Sequence, residues 1–524
     1  MNIATMLCSR ARQHPDLPAL IDTRHGRDRI LSFGALEINT ARVANQIVAS
    51  GVRPGDSVLI LHPMAIELYV FLIAVFRVGA VAMFLDPSAG LDHIHRCLRT
   101  YAPQAFFGSW KAQLLRLWSP SVRRIPLSFC TSWLPATHLL SLAAAENASQ
   151  QIVDLEDASP ALITFTSGST GQPKAALRTH EFLLAQQDAL QLSLRLKPGD
   201  KDLTTLPIFV LSNLAAGVTS VLPDADMRAP GKIKAPPVID QIERHQVTTT
   251  AASPAFIRRL ASECQRTHRQ FPQLQRVFMG GAPVFPFDLK QARSLFPNAE
   301  ITAVYGSTEA EPMADIALSQ ITEEDFHAME RGSGLLAGPP VGSIALRILR
   351  DQWGAPLHSM TSSEFNALGL APEAVGEIVI SGKHVLPGYL HGAGDTETKF
   401  DVDGVRWHRT GDLGWLDARG RLWLMGRAAA AIHDRRGTLY PFAAECAAMQ
   451  VQGVSRAAIQ HVAGRRVLAV ETDGANVSAA LMQAMAWAYL DEVRVLDSIP
   501  MDKRHNAKTD YPALAAILSR SRRS

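Results

Sequence analysis

A short apolar run, Ala161-Leu162-Ile163-Thr164-Phe165, opens directly into Thr166-Ser167-Gly168-Ser169-Thr170-Gly171-Gln172-Pro173-Lys174. Glycines leave backbone N–H groups unhindered and the hydroxyls add donors of their own, so such a loop after a strand can wrap the oxygens of a polyphosphate. The spacing is not that of the G-x-x-x-x-G-K-[ST] P-loop, and Pro173 prevents the smooth passage from loop to helix that such a loop needs, which excludes a P-loop NTPase. An ordinary Ser/Gly turn after a strand has the same composition, so the loop by itself leaves both readings standing.

The elements that must position this loop are read from apolar periodicity. Strand-like runs at 57–61, 161–165 and 276–279 alternate with helical segments at 181–194 and 238–245, the pattern of an α/β architecture with largely buried sheets. Arg53-Pro54-Gly55-Asp56, Lys197-Pro198-Gly199-Asp200 and Gly280-Gly281-Ala282-Pro283 mark turns between them. The most apolar stretch, 68–85, is interrupted by Arg77 and Gly79 and reads as a buried helix followed by a buried strand ending at Asp86-Pro87, not as a transmembrane span.

With 524 residues the chain exceeds what one hydrophobic core supports, since single cores stop growing near ~250–300 residues. A boundary is expected at Gly426-Arg427, where a Trp-rich, turn-rich segment gives way to four alanines. That makes a large N-terminal domain, 1–426, of stacked sheets and helices, and a small mobile α+β domain, 427–524, with a strand at 467–471, a helix at 479–489 and a strand at 493–496. The 52 basic and 49 acidic side chains leave a net +3, too weak a field to hold a nucleic acid or an anionic membrane. Five cysteines without a CxxC pair argue against a zinc ribbon and a secreted disulfide framework. Arg10 and Arg12 precede no apolar core with a cleavage site, so an early helix and a cytoplasmic protein are expected.

Residues 166–174 resemble the phosphate loop of the adenylate-forming superfamily of acyl-CoA synthetases, nonribosomal-peptide adenylation domains and luciferases, and further motifs follow in that family's order. Gly280-Gly281-Ala282-Pro283 resembles the segment that lies along the adenine. Tyr305-Gly306-Ser307-Thr308-Glu309 is similar to the aromatic-Gly-x-Thr-Glu motif, implying Tyr305 on the adenine, Thr308 at the α-phosphate and Glu309 holding Mg²⁺. Arg409-Thr410-Gly411-Asp412 resembles the ribose motif, with Asp412 accepting from the sugar hydroxyls, and Gly426-Arg427 the start of the hinge motif. Residues 499–508 resemble the C-terminal segment whose lysine, here Lys508, enters the site when the small domain closes. The chemistry fits these roles: an aromatic ring stacks on a base, a carboxylate is a hard ligand for Mg²⁺, and a second carboxylate accepts from vicinal hydroxyls. Taken singly, Tyr305 serves equally as a core aromatic, Glu309 as a helix N-terminal carboxylate and Asp412 as a turn residue; their joint order carries the resemblance, which implies ATP and Mg²⁺ as cofactors and a small-molecule acyl substrate.

The chain departs from the acyl-CoA synthetases of that superfamily at several points. The hinge position falls on Ala429, the following segment reads Ile432-His433-Asp434-Arg435-Arg436-Gly437-Thr438-Leu439-Tyr440-Pro441, and Pro207-Ile208-Phe209 is followed by Val210 where a histidine is usual. These departures put the CoA half-reaction in question. Together with 504–508, Asp86-Pro87 and 103–108 they resemble the β-lactone synthetases of bacterial olefin biosynthesis, in which a β-hydroxy acid is adenylated and its own hydroxyl displaces AMP. Formation of an acyl-CoA stays open as the alternative, and a non-catalytic nucleotide- or acyl-binding protein as another class. Residues 207–217 and 251–256, rich in small and apolar side chains, are the expected acyl pocket, and no acidic residue evident there would pair an α-ammonium. Association with other enzymes of an acyl pathway is a further expectation.

Overall fold

The structure is a computed structural model that describes residues 1–86, 90–141, 151–167, 173–474, 476–502 and 508–520. Gly168, Ser169, Thr170 and Gly171 of the expected phosphate loop lie outside the described residues, and Thr166 and Ser167 are described by their backbone alone.

A seven-stranded sheet runs in the order His138–Leu139, Leu127–Cys130, Ala105–Gly108, Ser57–Leu61, Val81–Phe84, Pro160–Ser167, Pro173–Thr179, parallel except for the last pair. Its inner strands are buried on both faces, which is why Ser57–Leu61 reads as an unbroken apolar run. Residues 68–85 resolve as expected into the buried helix Ile66–Val78, a left-handed Gly79 (φ 76°) and the strand Val81–Phe84. Arg77 is tolerated inside because Glu37 pairs with it at 2.8 Å.

An eight-stranded sheet is ordered Ala310–Ala317, Glu300–Ser307, Arg276–Met279, Thr249–Ala252, Lys201–Thr204, Thr219–Val221, Pro18–Arg24, Arg27–Ser32. Its first two strands form the antiparallel hairpin that bears residues 305–309. A third, antiparallel sheet contains Leu335–Gly338, Leu422–Arg427, Val405–Leu416, Gly376–Ser381 and Ala345–Leu349, with Lys399–Val402 on Val405–Leu416. Two apolar clusters fill most of the space around the large sheets.

Among the described residues beyond 427 the strands pair only among themselves. Val454–Val462, Arg465–Thr472 and Glu492–Val495 make one small sheet, packed with its own apolar clusters and with the helices Pro441–Ala448 and Tyr511–Arg520. The helix expected at 479–489 is shorter: it spans Ser478–Ala484 and gives way to a 3₁₀ turn, Ala486–Ala488, because the chain must swing through a left-handed Tyr489 (φ 49°) into the strand that follows.

Glu445, on Pro441–Ala448, is 3% exposed and accepts a 2.7 Å hydrogen bond from the Tyr511 hydroxyl. Burial pushes its carboxyl up to about 8, against the pull of that bond. The folded state thus keeps a proton that the unfolded chain releases above its ordinary carboxylate pKa, so this contribution is complete in acid and is lost as pH rises toward about 8. Glu445→Gln stays neutral and removes the loss. Thermal melts at pH 5 and pH 8.5 should show wild type falling relative to the variant at the higher pH.

Candidate active site

The turn 280–283 follows the strand Arg276–Met279. A Cβ on Gly280 would stand 2.9 Å from the Val304 carbonyl oxygen, and Gly281 is left-handed (φ 74°), so glycine at both positions lets the turn lie against the neighbouring strand. Ala282 and Pro283 line the same turn, half-exposed. One residue beyond Val304, Tyr305 crosses between sheets: its hydroxyl donates to Asp412 Oδ2 at 2.8 Å. Asp412 faces Arg427 across two antiparallel strands, and Arg427 Nη1 donates to Asp412 Oδ1 and to the Thr410 carbonyl, both at 3.1 Å. Burial, then the adjacent Asp412 carboxylate, drives the Tyr305 phenol far above its ordinary pKa, so it remains a hydrogen-bond donor. Asp412 likewise raises Arg427.

Thr308 and Glu309 occupy the turn of the same hairpin. Glu309 Oε1 accepts from the Tyr389 hydroxyl at 2.7 Å, and its carbonyl accepts from the Leu386 N–H at 2.7 Å. The Tyr389 ring lies beside two ammonium groups, Lys174 Nζ at 5.5 Å and Lys399 Nζ at 5.7 Å from its centroid. Lys174 also stands 3.8 Å from Glu397. Burial lowers Lys399 to about 7, and burial together with Lys399 keeps the enclosed His408 neutral. Burial would raise Glu309, but the neighbouring His408 ring, then the hydrogen bonds from Tyr389 and Ser307, pull the carboxyl down and hold it ionised.

Strands Pro160–Ser167 and Pro173–Thr179 set Thr166 opposite Lys174 and Ser167 opposite Pro173 at the two ends of the expected phosphate loop. Arg178, on the second strand, donates to Thr164 Oγ1 at 2.9 Å and to the Thr308 carbonyl at 2.7 Å, which ties this hairpin to the turn bearing Glu309.

Lys508 arrives from the small sheet's side. Met501 pairs with Thr509, the Asp502 N–H donates to the Lys508 carbonyl at 2.8 Å, and the Lys508 N–H donates to Asp502 Oδ1 at 2.8 Å, so the segment carrying the lysine is clipped at its base. Its ammonium acts on Glu311, two residues beyond Glu309: burial raises that carboxyl to about 7 while Arg178 and Lys508 pull it down.

Of the residues singled out in the sequence, Tyr305, Asp412 and Arg427 are joined directly, Lys174 and Glu309 meet through Tyr389, and the charge of Lys508 acts on Glu311 beside them. Tyr389, Arg178, Lys399 and Glu311 were not anticipated. The signal for Tyr389 was slight, a lone aromatic after Pro387-Gly388. Arg409, grouped by resemblance with the ribose motif, is turned inward instead and pairs with Glu377. On the acyl side, residues 207–217 and 251–256 do meet: Phe209 and Ala216 share an apolar cluster with Ala251 and Phe278. Beneath them Asp202 is engaged by Thr204, Asn213 and Thr249.

The chain belongs to the AMP-binding enzyme family, whose profile matches residues 7–390. The chain is an adenylate-forming acid ligase that takes ATP. It is 32% identical over 550 residues to an olefin beta-lactone synthetase of Stenotrophomonas maltophilia, spanning 99% of this chain and 98% of the relative. A second olefin beta-lactone synthetase, from Xanthomonas campestris pv. campestris, is 30% identical with the same coverage of both chains. The 2-succinylbenzoate–CoA ligase of Bacillus subtilis is 26% identical over 86% of this chain and 84% of its own length. Among solved structures, the amide bond synthetase McbA from Marinactinospora thermotolerans superposes with a TM-score of 0.81 at 21% identity, covering 98% of this chain and all of that one, 100%. Among the described residues no helix is long and apolar enough to cross a membrane.

Proposed function

We propose that the chain adenylates an apolar β-hydroxy carboxylic acid and that the bound acyl-AMP closes on itself to a β-lactone. The observation that carries this is likeness to two olefin beta-lactone synthetases along nearly the whole chain, at 32% and 30% identity. Ala429 at the hinge position and an Asp202 already engaged by Thr204, Asn213 and Thr249 support it.

In the first step a carboxylate oxygen of the acid attacks the α-phosphorus of ATP, the bond to the β-phosphate oxygen breaks, and pyrophosphate leaves with both electrons. The hairpin loop, Thr166 to Thr170 with Gly171 and Lys174, receives the β- and γ-phosphates. Gly281, Ala282, Pro283 and Tyr305 hold the adenine, while Asp412 and Arg427 hold the ribose. Thr308 meets the α-phosphate. Glu309, kept ionised, suits Mg²⁺, which typically takes one or two protein carboxylates and completes its shell with phosphate oxygens and water; bound there, it would neutralise phosphate charge. Lys508 places an ammonium where the acid and the α-phosphate, both anionic, must approach. Residues 1–426 supply the nucleotide and acyl sites, and 427–524 move as the small domain that brings Lys508 in.

In the second step the β-hydroxyl oxygen attacks the acyl carbon, the acyl–phosphate bond breaks and AMP departs as the hydroxyl proton passes to solvent. A well-oriented internal nucleophile has an effective molarity of ~10⁵ M or more, which a diffusing thiol does not match; strain in the four-membered ring consumes part of that advantage.

Tyr389→Phe removes the donor that fixes Glu309 and should raise the Mg²⁺ concentration needed for half-maximal pyrophosphate release by on the order of tenfold, the worth of one hydrogen bond to a charged group. The overall proposal is tested by product mass from a β-hydroxy acid, ATP and Mg²⁺ with and without CoA. A product lighter than the acid by one water, formed without CoA, is expected. A thioester formed only with CoA would replace it with the acyl-CoA ligase reading.

A further inference from the structure

The net charge of +3 hides an uneven distribution. Residues 87–145 hold Arg96, Arg99, Lys111, Arg116, Arg123 and Arg124 against the single acid Asp92, so this segment carries +5 and the rest of the chain −2. Topology gathers much of it at one place. Strands Ala105–Gly108 and Leu127–Cys130 are adjacent and parallel, so the segments that follow them leave the same edge of the seven-stranded sheet. The first forms the short helices Trp110–Gln113, Leu115–Trp118 and Pro120–Arg123; the second is the turn at 131–137, and Arg116 Nη1 joins the two by donating to the Ala136 carbonyl at 3.0 Å.

That edge shows large apolar side chains to water. Trp110 is 51% exposed, Leu117 and Trp118 64%, and Trp133 76%. Trp407 and Trp423, by contrast, are buried in the core. Lys111, Arg123 and Arg124 are exposed among them, and the Lys111 ammonium lies 5.5 Å from the Trp110 ring centroid. Large apolar side chains exposed together at one end of a sheet mark a contact surface. Tryptophan and leucine mixed with lysine and arginine is the composition that settles at the headgroup level of a bilayer, whereas protein interfaces are depleted in lysine. The parallel run of strands from Ala105–Gly108 through Ser57–Leu61 and Val81–Phe84 to Pro160–Ser167 brings the end of that last strand, where the proposed phosphate loop begins, out at this same edge, three strand spacings or ~15 Å along.

We propose that this edge docks on an anionic lipid surface, with Trp110, Leu117, Trp118 and Trp133 at headgroup depth and Lys111, Arg123 and Arg124 against lipid phosphates. Seated so, the enzyme works where apolar acids partition, with the phosphate hairpin beside the membrane. The docking stands whichever acyl product is formed.

Sedimentation of the full chain with vesicles of phosphatidylcholine alone, or with phosphatidylglycerol added, tests it. Binding to the anionic vesicles that weakens with salt is expected. Trp118→Ser/Trp133→Ser and Lys111→Glu/Arg124→Glu should each reduce partition on the order of tenfold while leaving pyrophosphate release with a water-soluble acid unchanged. A wild-type protein that stays in the supernatant at low salt, or variants that sediment as it does, would overturn the proposal. So would light scattering that shows wild-type self-association abolished by the tryptophan changes, which would assign the patch to a second copy of the chain.

Discussion

Lys508→Ala is expected to lower acid-dependent pyrophosphate release by on the order of 10²–10³ while ATP still binds, the loss typical of one preorganised group acting on transition-state charge. The expectation follows from charge. The attacking carboxylate and the α-phosphate repel one another, and negative charge grows on the pentavalent phosphorus. An exposed ammonium on a clipped segment, its charge acting on half-buried Glu311, meets both needs and contributes little to folding. The nucleotide contacts proposed above involve other groups, so equilibrium binding of ATP should change little. Rapid-mix pyrophosphate release and nucleotide binding, measured on the same variant, separate the two. Retained adenylation would remove Lys508 from its assigned place.

Arg409→Met is expected to destabilise the protein by about 3–5 kcal/mol, the usual consequence of stripping one partner from a buried pair. Arg409 and Glu377 are each 1% exposed in their side chains and are joined twice, Nε to Oε1 and Nη2 to Oε2, both at 2.7 Å. The guanidinium also donates to the Ala355 and Gln352 carbonyls at 2.6 and 3.0 Å. Without it Glu377 keeps a charge that no water reaches. Replacing both, Arg409→Met with Glu377→Leu, should recover a large part of the loss, because the penalty comes from the orphaned carboxylate more than from the missing attraction. Denaturant titration of the single and double variants decides this. A single variant as stable as wild type would show that the pair is not sealed from water.

The contrast between these two residues shows where local sequence is informative. The run into the hydroxyl-rich loop, the 305–309 hairpin turn and the segment before Lys508 are each written in consecutive residues, because a loop that must present backbone N–H groups or a turn that must aim a carboxylate is specified locally. The buried strand at 57–61 and the helix-then-strand at 66–84 were legible for the same reason: their burial shows in the order of apolar residues. Arg409 read as part of a nucleotide motif by adjacency to Asp412, yet neighbours along a strand point to opposite faces or are offset by bulges, and its side chain runs to Glu377 on the next strand.

The types of group at hand, the α/β alternation and the order of the nucleotide-binding segments were thus determined by the sequence alone, since periodicity and turn chemistry act over a few residues. The tertiary structure alone decided that Tyr389 orients Glu309 across 80 residues and that Arg178 holds the Thr308 carbonyl across 130. It also decided that scattered tryptophans and arginines share one sheet edge. Hydrogen bonds and charge pairs of this kind depend on distance in space, and chain order carries no measure of that until the sheets have stacked.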